Sequence, residues 1–127
     1  MKTYIGLLKD AQLLQLLYMP EKGINSLNKP EKIYLYHPNH MYALTTANTE
    51  KGNLRETFFL NQVSQKHTAT FPSSGDFLAD DQWLFEIGGK KKSGNQLQNH
   101  PNGYVLADDI EYGSGNKIPL WLFGFIA

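Results

Sequence analysis

Apolar positions at the start of the chain recur with helical spacing. Ile5, Leu8 and Leu16 form one row with Gln12 between them, and Leu7, Leu14 and Leu17 widen the face well past a narrow stripe. The pattern predicts one long helix ended by Pro20 and Gly23. A helix this apolar needs partners on more than one side. It also begins almost at Met1 with no capping residue ahead of it, which reads as a chain cut from something longer.

After a loop at 25–31, residues 32–36 (KIYLY) alternate and predict a short strand. A turn at 37–40 (HPNH), a short helix at 41–46 and polar punctuation at 48–52 follow. The clearest helix opens at Asn53, a good N-cap, with Glu56 three residues later as in a capping box, and runs to about Lys66. Three strands are expected at 67–71, 75–79 and 83–87, the last broken by Gly88 and Gly89. A short polar helix at 93–98, a strand at 104–107, a flexible turn at 113–115 and a late apolar element at 118–125, read as strand rather than helix, complete the chain. From Asn53 the order is helix, three strands, helix, strand. That predicts an α/β (α+β) sandwich with a mixed central sheet flanked by helices and preceded by a helical segment.

The pattern brings acidic residues onto this core. If the loop of GDFLADDQWLFEI is odd-numbered and centred on Asp81, Asp76 lies opposite Glu86 and Leu78 opposite Leu84, while Phe77, Ala79, Trp83, Phe85 and Ile87 take the other face. Directly opposed residues of an antiparallel pair have Cβ atoms about 5 Å apart. Two carboxylates that close repel, so one takes a proton, or a divalent cation or a lysine sits between them. An even-numbered loop would instead put the two acids on opposite faces. Glu56 joins them in expectation, because Glu56, Phe59, Leu60 and Val63 share one helical stripe. Each acid also has a plainer reading: Glu56 as part of a cap, Asp76 as a strand-edge residue, Glu86 as the partner of Lys90 in a structural ion pair.

Composition narrows the field. The 127 residues allow one domain, 1–127, with 1–50 as a helical segment and short strand and 51–127 as the α/β core. Basic and acidic residues number 12 each, so the chain lacks the basic footprint of a dedicated nucleic-acid binder. Cysteine is absent, which excludes disulfides, thiolate metal sites and a cysteine nucleophile, and fits a cytoplasmic setting. Lys9, Asp10 and Gln12 interrupt the first apolar run and 118–126 is too short to span a bilayer as a helix, so no membrane partner is expected. His37 and His40 have HxxH spacing but flank Pro38 in a turn, a poor metal site. Lys90, Lys91 and Lys92 read first as a solvated loop and second as a phosphate contact. Trp83, Phe85 and Trp121 read as core, and Tyr34 and Tyr36 show no stacking pattern for single strands.

The stretches NLRETFFLNQ, GDFLADDQWLFEIGGK and GYVLADDIEYGSGNKIPLWLFGF, with NKPEKIYLYHPNHMYAL ahead of them, resemble the C-terminal domain of a prokaryotic family of AAA-type ATPases. The resemblance covers nearly the whole chain. It implies a restriction-endonuclease-like three-layer core of the PD-(D/E)xK kind. In such a core a helix acid, here Glu56, and two strand acids, here Asp76 and Glu86, bind Mg²⁺ through Asp76 and Glu86, and a lysine two residues on assists. That position is Gly88, and the nearest lysine is Lys90. The departure implies an accessory domain with degenerate catalysis, used in nucleic-acid-linked work or partner recognition. The alternatives are an active Mg²⁺-dependent nuclease using Glu56, Asp76, Glu86 and Lys90, and a purely structural interaction domain. The expected partners are an AAA ATPase domain, upstream or in a separate chain, and DNA. No GxxxxGK(S/T) phosphate-binding loop occurs, so the ATPase domain is absent and no ATP site is expected in this chain.

Overall fold

The hydrophobic alternation on either side of Asp81 is the seed of the sheet. In a computed structural model, which describes residues 2–20, 29–45, 48–97 and 100–126, strands β4 (Phe77–Ala79) and β5 (Trp83–Gly88) pair antiparallel with Leu78 opposite Leu84. This is the odd-loop register. Asp80 and Asp81 both take left-handed backbone angles, and the Gln82 N–H donates to the Ala79 carbonyl at 3.0 Å, closing a tight turn. Asp80 pins that turn to its neighbour: its carboxylate accepts from the Thr68 N–H at 3.0 Å and meets His67 Nδ1 at 2.7 Å. The Thr68 N–H first, then His67, hold the Asp80 carboxyl below the usual carboxylate range.

Strand β3 (Ala69–Thr70) extends the meander, while β6 (Gly103–Ala107) and β7 (Lys117–Pro119) add parallel strands on the other side of β5. The result is a five-stranded mixed sheet in the order β3-β4-β5-β6-β7. Central strands of such a sheet are buried on both faces, which is why β5 reads as a nearly unbroken apolar run with one acid in it. One face carries Phe77, Ala79, Phe85, Ile87 and Leu106; it packs against helix α3 (Lys51–Val63) through Phe59, Leu60 and Val63. Phe59 is the hub, with ring centroids 5.0, 5.1 and 5.3 Å from Phe77, Phe85 and Phe123. The opposite face carries Leu78, Leu84 and Val105, packed on Leu97 of a 3₁₀ turn, Asn95–Leu97.

Several expectations are corrected. The first helix, α1, spans Lys2–Asp10 only, and Leu14–Leu17 is strand β1, paired antiparallel with β2 (Lys32–Leu35). The helix stops because Gln12 turns left-handed (φ 59°) and two bonds, Gln12 N–H to the Lys9 carbonyl and Leu13 N–H to the Leu8 carbonyl, close its end. Leu17 and Tyr34 then enter the core of the main sheet's helical face. The expected HPNH turn is instead the start of helix α2 (Pro38–Leu44), capped by His37, whose Nδ1 accepts from the Asn39 N–H at 3.0 Å. Helix α3 begins earlier than expected, with Glu50 as N-cap, so Asn53 lies inside it and accepts from the Thr57 hydroxyl. The late apolar element divides at Pro119, which lacks an N–H: β7 ends there and a 3₁₀ segment, Leu120–Phe125, follows. Trp83 and Trp121 are exposed rather than core. Gly23, Thr46, Gln98 and loop residues 25–28 lie outside the described residues. Among the described residues no helix is long and apolar enough to cross a membrane.

Candidate functional site

Glu56 stands one turn ahead of Phe59 and Leu60 on the packed stripe of α3, so its side chain emerges at the edge of the core beside β2. It makes no capping box. The Tyr34 hydroxyl donates to Glu56 Oε2 at 2.6 Å, and Lys32 Nζ lies 3.6 Å from the same oxygen. Lys32 and Tyr34 are two apart on β2 and share a face, so one strand delivers both groups. They line a cleft of about 360 Å³ with Glu50, Asn53 and Glu56. Burial above all raises the Tyr34 hydroxyl pKa, and the hydrogen bond to Glu56 and the negative charges of Glu56 and Asp76 raise it further.

Asp76 follows Gly75, which holds a left-handed conformation (φ 83°) where a Cβ would come within 3.0 Å of the Leu84 side chain. The glycine lets the chain press against β5. The Asp76 N–H donates to the Phe85 carbonyl at 2.9 Å, and Asp76 Oδ2 accepts from the Ile87 N–H at 2.7 Å. The carboxylate thus takes a ladder position that a backbone carbonyl would fill, one step beyond the Phe77–Phe85 pair.

Glu86 projects on the face of Leu84, opposite Phe85 and Ile87, and is 3% exposed. Its Oε1 lies 3.1 Å from Lys92 Nζ, and its Oε2 has no hydrogen-bond partner among the described residues. On the same face a cleft of about 290 Å³ opens over Leu78 and Leu84, with Ser74 and His100 at its margins.

The lysine expectation is corrected by this geometry. Lys90 is exposed, and its carbonyl is held by Lys117 Nζ at 2.7 Å. The side chain that returns to Glu86 is Lys92, carried back by a turn in which the Lys92 N–H donates to the Gly89 carbonyl at 3.0 Å. Sequence reasoning paired neither Lys92 with Glu86 nor Lys32 and Tyr34 with Glu56. The Gly88-Gly89 pair was the available signal for the first, since a tight turn there returns a residue three or four positions on. The i, i+2 pairing of Lys32 with Tyr34 opposite an acidic helix face was the signal for the others.

Glu56 therefore meets the Tyr34 hydroxyl, the Asp76 carboxylate lies on the Ile87 N–H at the edge of β5, and Glu86 holds a lysine on the face of Leu84. Among the described residues no three His, Cys, Asp or Glu side chains stand close enough together to hold one ion. His37 uses Nδ1 as a cap acceptor, its ring centroid 6.2 Å from that of His40. The chain matches no family model, no curated protein and no solved structure.

Proposed function

We propose that the chain is an accessory domain of an AAA-type ATPase, nuclease-like in fold, that works on nucleic acid through a divalent cation held by Asp76 and Glu86. The observation that carries this reading is Glu86, buried at 3% exposure with one oxygen on Lys92 and the other without a partner among the described residues. An orphaned buried acceptor costs on the order of 1–3 kcal/mol, more when charged. A hard cation seated on that oxygen removes the cost, and a carboxylate donor set suits Mg²⁺ or Mn²⁺.

When bound, such an ion supplies Lewis-acid polarisation of a phosphate and activation of a water. The chain's own groups do the rest. The Ile87 N–H orients Asp76, Glu86 is buried, and Lys92, now 3.1 Å from Glu86 Oε1, would bring positive charge to phosphate oxygens. Gly88 in place of a lysine argued for a degenerate site; a Lys92 ammonium already at Glu86 supports one whose lysine comes from the following turn. The run of α3, the β3-β4-β5 meander and β6 parallel to β5 supports a restriction-endonuclease-like core.

The test is incubation of the purified chain with supercoiled and linear DNA and Mg²⁺ or Mn²⁺. Cleavage that disappears in Asp76→Ala is the expected result. Absence of cleavage with every metal, together with no metal-induced rise in melting temperature, sinks the reading.

A second reading, a protein-docking domain, is favoured by one observation. Tyr42 and Trp121 are exposed and line a groove of about 320 Å³ with Leu54, Phe58 and Leu120, and the exposed Phe125 lies edge-on to Trp121. Co-purification with the matching ATPase domain, lost in Trp121→Ala, would support it.

A further inference from the structure

Two features meet at the end of β5. Residue 88 is glycine, and a Cβ built there would lie 2.6, 2.8 and 2.9 Å from Cδ, Cγ and Cβ of Lys92. The stem of Lys92 therefore fills the volume that any other side chain at position 88 would take. Residues 86 and 88 project on one face of the strand, so the stem runs along the side of β5 that carries Glu86, and its ammonium ends 3.1 Å from Glu86 Oε1. The turn that delivers it is closed by the bond from the Lys92 N–H to the Gly89 carbonyl and held at its centre by Lys117 Nζ on the Lys90 carbonyl.

A permanent structural pair would satisfy both carboxylate oxygens, since a buried charge is costly unless every lone pair is engaged. Here Oε2 has no partner among the described residues. An ammonium and a divalent cation on one carboxylate repel each other, the more so in a low-dielectric site. A lysine stem is flexible, with four carbons over which to swing.

The geometry points to an exchange at Glu86: Lys92 neutralises this carboxylate while no divalent cation is there and, once a cation takes Glu86, is released to pair with a phosphate oxygen of a nucleic-acid strand. The lysine is then both the resting counter-ion of the site and its phosphate contact, and Gly88 is the residue that makes room for it. The inference rests on the reading of Asp76 and Glu86 as a cation site, and the experiment separates the two.

Mn²⁺ binding to the whole chain is measured by calorimetry for the parent protein, for Lys92→Met, which keeps the stem without the charge, and for Gly88→Ala, which keeps the charge but claims its space. Binding of a short DNA duplex to the Mn²⁺-loaded chain is measured alongside. Expected is a tightening of Mn²⁺ binding in both variants, by roughly 5- to 150-fold, the usual range for coupling between two ligands, with DNA binding weakened in Lys92→Met. Unchanged or weaker Mn²⁺ binding in Lys92→Met, with the parent still binding, overturns the exchange and leaves the cation site standing. Tightening in Lys92→Met but not in a folded Gly88→Ala overturns the role given to Gly88. No Mn²⁺ binding by any of the proteins removes both the exchange and the cation site. Far-ultraviolet circular dichroism shows whether Gly88→Ala folds, and Lys92→Met carries the test if it does not.

Discussion

Among the described residues four that are not glycine, Gln12, Asp80, Asp81 and Asp109, hold backbone angles in the left-handed region. At Asp80 the side chain compensates by binding Thr68 and His67. Asp81 is the second centre of the same tight turn, where such turns prefer glycine. Asp81→Gly is expected to raise stability by about 0.5–1 kcal/mol, read as an increased urea midpoint at unchanged slope. Tyr34 gives a pH signature. Its hydroxyl pKa is raised in the folded state, chiefly by burial and then by Glu56. The neutral form is thus favoured on folding, and the stability this contributes is complete below the unfolded value of about 10 and is lost as pH rises above it. The stability difference between the parent protein and Tyr34→Phe should stay level from pH 7 to pH 9 and narrow above about pH 10. A gap that does not change with pH in urea titrations would contradict the assignment. None of this was legible beforehand for Tyr34, because a tyrosine two residues from a lysine on a short strand says nothing until the strand's partner helix is known.

Among the elements, α3 and β5 carry the core. Phe59 is completely buried among three other phenylalanine rings, so Phe59→Ala should cost about 3–5 kcal/mol. Trp121, though larger, is 49% exposed and holds the Ile110 carbonyl by a bond of 3.1 Å. Trp121→Ala should therefore cost less, about 1–2 kcal/mol. Chemical denaturation of the two variants side by side checks the order, and equal costs would mean that Trp121 is a core residue after all. The stripe of Phe59, Leu60 and Val63 was readable in the sequence, because helical period and burial agree there. The strand β1 was not. Leu13, Leu14, Leu16 and Leu17 around Gln15 satisfy a helical face as well as a strand, and what selects the strand is pairing with Lys32–Leu35, further along the chain. The start of α3 was misread because Gly52 breaks the pattern, although the Glu50 carboxylate occupies the space beside it.

For the whole molecule, the open question is why a sheet with an apolar centre keeps an acid in its middle strand. Replacing a buried ion pair by apolar residues of similar volume is commonly neutral or stabilising by about 1–4 kcal/mol. The double variant Glu86→Leu with Lys92→Met is accordingly expected to unfold at the same urea concentration as the parent or a higher one, while losing any Mn²⁺-induced rise in melting temperature. A large loss of stability would mark the pair as a structural element. The sequence by itself offered the odd-loop register at Asp80–Gln82 as one of two, and the pairing of Leu78 with Leu84 in the structure selects it. It also determined the packed stripe of α3 and the placing of acids on α3, on β5 and just ahead of β4. Only the tertiary structure decided which groups those acids meet. Glu56 turns to Tyr34 and Lys32 instead of a helix cap, and Glu86 takes Lys92 instead of Lys90. Local periods report which face a residue occupies, whereas the partner on that face depends on where a distant strand and a turning loop return to it, which no short-range pattern encodes.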